Sequence, residues 1–191
     1  MLTDIIKLGV TGTNGSGKDG VANYLKTKEF SQYSLSDYLR RELGKSEERT
    51  PNEVRKELKE LGDKLEEQEP GFLARRAIES IDSKKRICIT SIRRGSEVEV
   101  LRKSDDFYLI WIDAPSEDRY KRVLLRGDKK KLEQFREEDE MEMQRLELCK
   151  SMADFTVFNP GVGQDSLKRL YSEVDRVLER IQKMRDSRER W

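Results

Sequence analysis

The sequence predicts a three-layer α/β/α domain built on a five-stranded parallel sheet. Short apolar runs alternate with helical stretches along the whole chain. The inner runs are almost continuously apolar, as strands covered on both faces are, and they end in turn- or loop-forming residues. Right-handed crossovers then make the sheet parallel and put ligands at the carboxyl ends of its strands. A length of 191 residues suits one well-buried domain, and no repeat or linker divides it, so residues 1–191 are expected to form a single unit.

Taken in order, Ile5–Val10 is the first strand and Gly20–Lys26 the helix after it. Phe30–Ser34 is a second strand, leading into a helix over Leu35–Leu43 that Gly44 closes. Lys45–Arg49 is a polar connection. Thr50, Pro51 and Glu53 then supply a cap, a first-turn proline and a capping box, and Val54, Leu58, Leu61 and Leu65 form that helix's apolar stripe. Pro70-Gly71 breaks it, and Phe72–Ile81 is another helix. Arg86–Ile92 reads as a buried parallel strand, Glu97–Arg102 as a helix, and Phe107–Ile112 as the fourth strand, ending at Asp113-Ala114-Pro115. Ser116-Glu117-Asp118 caps a helix through Val123-Leu124-Leu125. Gly127–Lys131 is a charged break before a long charged helix, roughly 132–150. Phe155–Phe158 is the last strand and stops at Asn159-Pro160-Gly161. Leu167–Met184 closes the fold, with the tail to Trp191 expected to fray.

Between the first strand and its helix lies Gly12-Thr13-Asn14-Gly15-Ser16-Gly17-Lys18-Asp19. The spacing G-x-x-x-x-G-K in a strand–loop–helix setting is that of a phosphate-binding loop, which makes the predicted architecture a P-loop NTPase fold. Glycines let backbone amides of Gly12, Asn14, Gly15, Ser16 and Gly17 approach phosphate oxygens. The helix start at Asp19-Gly20 adds positive potential, and Lys18 brings a mobile charge. The pattern calls for Ser or Thr after the lysine, and this chain has Asp19. A carboxylate oxygen is still a hard donor for Mg²⁺, so Asp19 is the candidate metal ligand. ATP and Mg²⁺ are the expected nucleotide and ion.

Composition excludes several classes. Lys and Arg number 39 against 38 Asp and Glu, and this balance argues against general nucleic-acid or anionic-membrane binding. The chain has no histidine and two well-separated cysteines, Cys88 and Cys149, which argues against a zinc site and rules out histidine acid–base chemistry. No membrane-length apolar run or signal-peptide pattern is present, so a cytoplasmic location is expected. The partners expected are small-molecule nucleotides. Oligomeric state is not legible.

Several segments resemble the P-loop small-molecule kinases of the nucleoside monophosphate kinase and dephospho-coenzyme A kinase group. The run Tyr33-Ser34-Leu35-Ser36-Asp37-Tyr38-Leu39-Arg40 is one of them. Ser91-Ile92-Arg93 followed by Glu97-Val98-Glu99 is another, and Asp113-Ala114-Pro115 is a third. The likeness is greatest to the kinase-like domain that precedes the deaminase domain in some deoxycytidylate-deaminase-like proteins; no zinc-ligating motif follows here.

The resemblance implies an acceptor site at Ser36, Asp37, Arg40 or Arg41, and Arg93. Asp37 and Arg40 match the spacing that grips an acceptor phosphate in nucleoside monophosphate kinases. Asp37 and Arg41 match the spacing that serves an acceptor hydroxyl in dephospho-coenzyme A kinases, and both readings stay open. The resemblance also implies that Arg122 and Arg126 reach adenine or the transferring phosphate, with residues 126–135 as a lid. Asn159 and Gly161 would lie beside the base. The catalytic set is then Lys18, Arg126, Asp37 and Arg93. Missing loop hydroxyls leave a third possibility, a catalytically silent nucleotide-binding module.

Overall fold

The computed structural model describes residues 6–44, 50–81, 86–104 and 106–188. The expected connection at Lys45–Arg49, the strand start at Ile5 and the last residues before Trp191 fall outside these ranges. Five strands are described: β1 (Ile6–Thr11), β2 (Ser31–Ser34), β3 (Arg86–Thr90), β4 (Phe107–Asp113) and β5 (Phe155–Phe158). They form one sheet in the order β2-β3-β1-β4-β5, and every neighbouring pair is parallel. The helices are α1 (Lys18–Thr27), α2 (Ser36–Leu43), α3 (Pro51–Gln68), α4 (Phe72–Ser80), α5 (Gly95–Arg102), α6 (Ser116–Leu125), α7 (Leu132–Ser151) and α8 (Gln164–Arg188).

Alternation along the strands assigns each side chain to one of two cores. Ile6, Leu8 and Val10 of β1 join Tyr108, Ile110 and Ile112 of β4 against Val21, Ala22 and Leu25 of α1 and Leu170, Val174, Val177 and Ile181 of α8. The opposite face of β4, Phe107, Leu109 and Trp111, joins Ile87 and Ile89 of β3. There it packs on Leu39 of α2, Leu73 and Ala77 of α4, Val98 and Leu101 of α5, and Leu146 and Cys149 of α7. Covering both faces explains why the inner strands read as unbroken apolar runs. Both cysteines are buried in these cores, which pushes each thiol up to about 12 and disfavours the thiolate.

Caps set the helix ends. Thr50 accepts from Glu53 N (3.3 Å) while Glu53 accepts from Thr50 N (2.7 Å), the expected capping box of α3. Several boundaries differ from expectation. β3 stops at Thr90, two residues early, because Ser91 adopts φ 62° and turns the chain out of the sheet. Leu35 is the N-cap residue of α2 and not its first helical residue. The closing helix is longer than its apolar pattern, running Gln164–Arg188.

Candidate functional site

β1 ends on Thr11, whose hydroxyl donates to Ile92 O at 2.8 Å, and the chain enters the glycine loop at the sheet's carboxyl edge. Gly15 (φ 76°) and Gly17 (φ 105°) hold left-handed conformations that side chains rarely adopt. A Cβ on Gly15 would stand 2.6 Å from the Arg119 carbonyl oxygen, and one on Gly17 would strike Asn159 Nδ2. The loop is thus a backbone-walled cradle, and the amino end of α1 opens directly beyond it. Lys18 folds back over it, Nζ 3.2 Å from Thr13 O. Burial lowers the Lys18 pKa; Asp19 and Glu142 oppose that shift, and Arg93 and Arg126 add to it.

Two side chains fix the loop from behind. Arg122 donates from Nη1 to Gly15 O (2.9 Å) and Ser16 O (3.1 Å), and from Nη2 to Asn159 O (2.7 Å) and Gly161 O (2.5 Å). Asn159 is 3% exposed and donates from Nδ2 to Ser16 O at 2.7 Å, while its Oδ1 accepts from Ser166 (2.9 Å). Arg122 and Asn159 therefore shape the cradle through carbonyl contacts. Ser16 Oγ is buried and has no hydrogen-bond partner among the described residues.

In front of the loop lies a cavity of about 880 Å³. Asn14, Lys18 and Asp19 form one end; Ser36, Leu39 and Arg40 of α2 and Arg55, Lys59 and Asp63 of α3 form the other. Ser91, Arg93 and Arg94 lie between them, and α7 contributes Glu138, Asp139, Glu142 and Arg145. Of the expected lid, residues 126–135, Lys130 and Phe135 line the cavity.

Most of the charge here is paired. Glu142 accepts from Asn14 N (2.7 Å) and from Arg93 Nη1 (3.1 Å). Asp63 receives both Arg94 (2.5 Å) and Arg145. Glu97, 1% exposed, accepts the amides of Arg93 (2.7 Å) and Arg94 (3.1 Å); burial nonetheless raises its pKa. Asp139 pairs with the buried Arg119, tying α7 to α6. Arg55 and Lys59 have no ion partner among the described residues, and Arg40 has only Asp37 at 4.0 Å. Ser34, Ser36 and Ser91 form a hydroxyl cluster with Oγ separations of 2.9–3.3 Å at the β2 and β3 ends.

The expected site residues thus separate by location. Asn14, Lys18, Asp19, Ser36, Arg40 and Arg93 meet in the cavity. Gly12, Gly15, Ser16 and Gly17 form the cradle itself, and a Cβ on Gly20 would sit 3.5 Å from Leu167 of α8. Asp37 and Arg41 are exposed and outside the cavity lining. Arg126 is exposed at the α6 C-cap, near enough to Lys18 to lower its pKa. The Arg94 side chain is 15% exposed and bound to two carboxylates, Asp63 and Glu97. Sequence reasoning missed Glu142, Asp63, Arg55, Lys59 and Arg145.

A family model described as an AAA domain (AAA_18) matches residues 8–145. The chain belongs to that family. Among individual proteins, it is 26% identical over 181 residues to a UPF0200 protein of Sulfurisphaera tokodaii, covering 91% of this chain and 96% of that one. It is 34% identical over 174 residues to a UPF0200/UPF0201 protein of Archaeoglobus fulgidus, covering 76% of this chain and 54% of that one. In architecture it resembles shikimate kinase from Bacteroides thetaiotaomicron (TM-score 0.61, 10% identity, 92% and 99% coverage). Shikimate kinase from Acinetobacter baumannii in complex with shikimate is similar too (TM-score 0.62, 14% identity, 92% and 94% coverage). At that identity the likeness establishes the fold, a P-loop kinase fold with an all-parallel sheet. Among the described residues no helix is long and apolar enough to cross a membrane, and no group of three or more His, Cys, Asp or Glu is placed to hold a metal.

Proposed function

We propose that this protein transfers the γ-phosphoryl group of ATP to a small anionic acceptor, of which a nucleoside monophosphate or related nucleotide is the leading class. One observation carries the reading: a single cavity joins Lys18 and the P-loop at one end to Arg40, Arg55 and Lys59 at the other, with Arg93 between. The nucleotide's phosphates belong at the cradle, where backbone amides, the α1 terminus and Lys18 neutralise them. The acceptor's anionic group belongs at the α2–α3 wall, whose cations have little else to bind.

In the reaction the bond between Pγ and the β–γ bridging oxygen breaks, and an acceptor oxygen bonds to Pγ. ADP leaves with the bonding electrons. Lys18 and Arg93 face the charge spread over the transferred group, and Arg126 can join them from the adjoining turn. An acceptor phosphate is already a nucleophile and loses no proton. Transfer to a hydroxyl, the dephospho-coenzyme A kinase-like alternative, needs a carboxylate to take the proton. The exposed Asp37 lies off the cavity lining, so that part would fall to a lining carboxylate such as Asp63 or Glu138, and the phosphate reading rests on the cationic α2–α3 wall instead. Asp19 fits the part of a Mg²⁺ ligand: it is an exposed carboxylate on the cavity wall beside the loop, and Mg²⁺ is commonly held by one or two carboxylates with water and substrate phosphates. When bound, Mg²⁺ supplies charge neutralisation on the phosphates. The test is an ATP-consumption screen over nucleoside monophosphates, deoxynucleotides and dephospho-coenzyme A. Acceptor-dependent ADP release with a monophosphate supports the reading; release only with dephospho-coenzyme A moves it to a hydroxyl acceptor.

A further inference from the structure

We infer that Glu142 is an internal stand-in for the terminal phosphate of the nucleoside triphosphate, and that the γ-phosphate must displace it to enter. The inference rests on reading the glycine loop as the nucleotide site. Glu142 uses both carboxylate oxygens there: Oε2 accepts from the P-loop amide of Asn14 (2.7 Å) and Oε1 from the Arg93 guanidinium (3.1 Å). A loop amide and an arginine are the two donor types that hold phosphate oxygens. The same carboxylate also bears on the charge of Lys18. One anion therefore already occupies the loop amide and the arginine assigned above to the transferred group.

Its position on α7 is built for this. Phe135, Asp139, Glu142, Leu146 and Cys149 follow one another at spacings of four and three, a single helical face turned toward the body of the protein. Phe135, Leu146 and Cys149 are core residues, and the Glu142 side chain is 18% exposed. The helix is held on either side of Glu142 by Asp139 to Arg119 and Arg145 to Asp63. Neither anchor involves the Glu142 side chain, so its displacement need not release them.

A carboxylate and a γ-phosphate oxygen cannot share the Asn14 amide and Arg93, since like charges at contact distance repel. Displacement breaks the Arg93–Glu142 pair and frees Arg93 for the phosphoryl group. ADP has no γ-phosphate and leaves the pair intact. Glu142 thus lowers affinity for the triphosphate selectively and keeps Arg93 occupied while the γ subsite is empty.

The test compares binding of ADP and of a β,γ-imido ATP analogue, each with Mg²⁺, to the full chain and to Glu142→Gln, by calorimetry. The expected result is at least tenfold tighter analogue binding in the variant, with ADP affinity changed less than twofold. Equal tightening of both ligands, no change, or weaker analogue binding overturns the inference; weaker binding would make Glu142 a direct partner of the metal or γ-phosphate. Failure of the unsubstituted chain to bind either ligand instead removes the nucleotide reading, and this inference with it. A second measurement needs no folded variant. The Glu142 carboxyl ¹³C resonance of the unsubstituted chain is expected to move on adding the analogue and to stay on adding ADP; movement with neither or with both overturns the inference.

Discussion

Arg122 of α6 and Asn159 in the loop after β5 donate to the same carbonyl oxygen, that of Ser16 in the P-loop, at 3.1 and 2.7 Å. A P-loop whose amides face outward must turn carbonyls inward, and buried carbonyls need donors. These two side chains supply them. Asn159→Ala removes a buried donor and leaves both Ser16 O and Ser166 Oγ with one partner fewer. The expected cost is about 1–3 kcal/mol of folding stability, read by urea denaturation, with weaker ADP binding because the cradle loosens.

Gly15→Ala tests the cradle directly. The added methyl meets the Arg119 carbonyl oxygen at 2.6 Å at a φ of 76°, so either the loop or the amino half of α6 must move. ADP affinity is expected to fall at least tenfold by calorimetry. Unaltered affinity would show that the loop amides do not hold the phosphates.

Lys18→Met keeps the length of the side chain and removes its charge. Its ammonium is buried against the loop with Asp19 and Glu142 near it, so the loss falls on the phosphates and not on a structural ion pair. Turnover is expected to drop roughly 10²–10³-fold, as removal of a single donor to developing charge does. Circular dichroism and thermal unfolding should stay close to the unsubstituted chain.

The sheet, the P-loop and the order of elements were legible because each is written locally: apolar runs, a glycine spacing, a capping box at Thr50–Glu53. What was not legible depends on contacts distant in sequence. β3 stops at Thr90, before Ser91, whose φ of 62° has no glycine or asparagine to announce it. Arg122 and Arg126 are one turn apart and look equivalent in sequence, yet Arg122 turns into four loop carbonyls while Arg126 stays exposed at the helix end. Glu142 was hidden in a helix rich in charge. Its signal was present nonetheless, since Asp139 and Glu142 stand at positions of the Phe135–Leu146–Cys149 stripe where apolar residues belong.

Glu97 gives a pH dependence with a definite sign. Burial raises its folded-state pKa above the ordinary 4.5, so the folded chain binds its proton more tightly than the unfolded chain does. Its contribution to stability is full below about 4.5 and declines as pH rises from there through the raised folded value. Glu97→Gln does not titrate. The stability of the unsubstituted chain relative to Glu97→Gln, followed by urea denaturation, should therefore decrease with rising pH across that window. A difference that is flat or increases would contradict the assigned shift.

Transfer of a phosphoryl group between two small molecules in the cavity can be followed directly. Phosphorus-31 NMR of the full chain with ATP, Mg²⁺ and the best acceptor from the screen follows the γ-phosphorus itself. ADP and phosphorylated acceptor are expected in equal amounts, with both signals lost over the same interval in Lys18→Met. Tightly bound ATP that stays intact with every acceptor, or that yields only orthophosphate, would contradict that transfer.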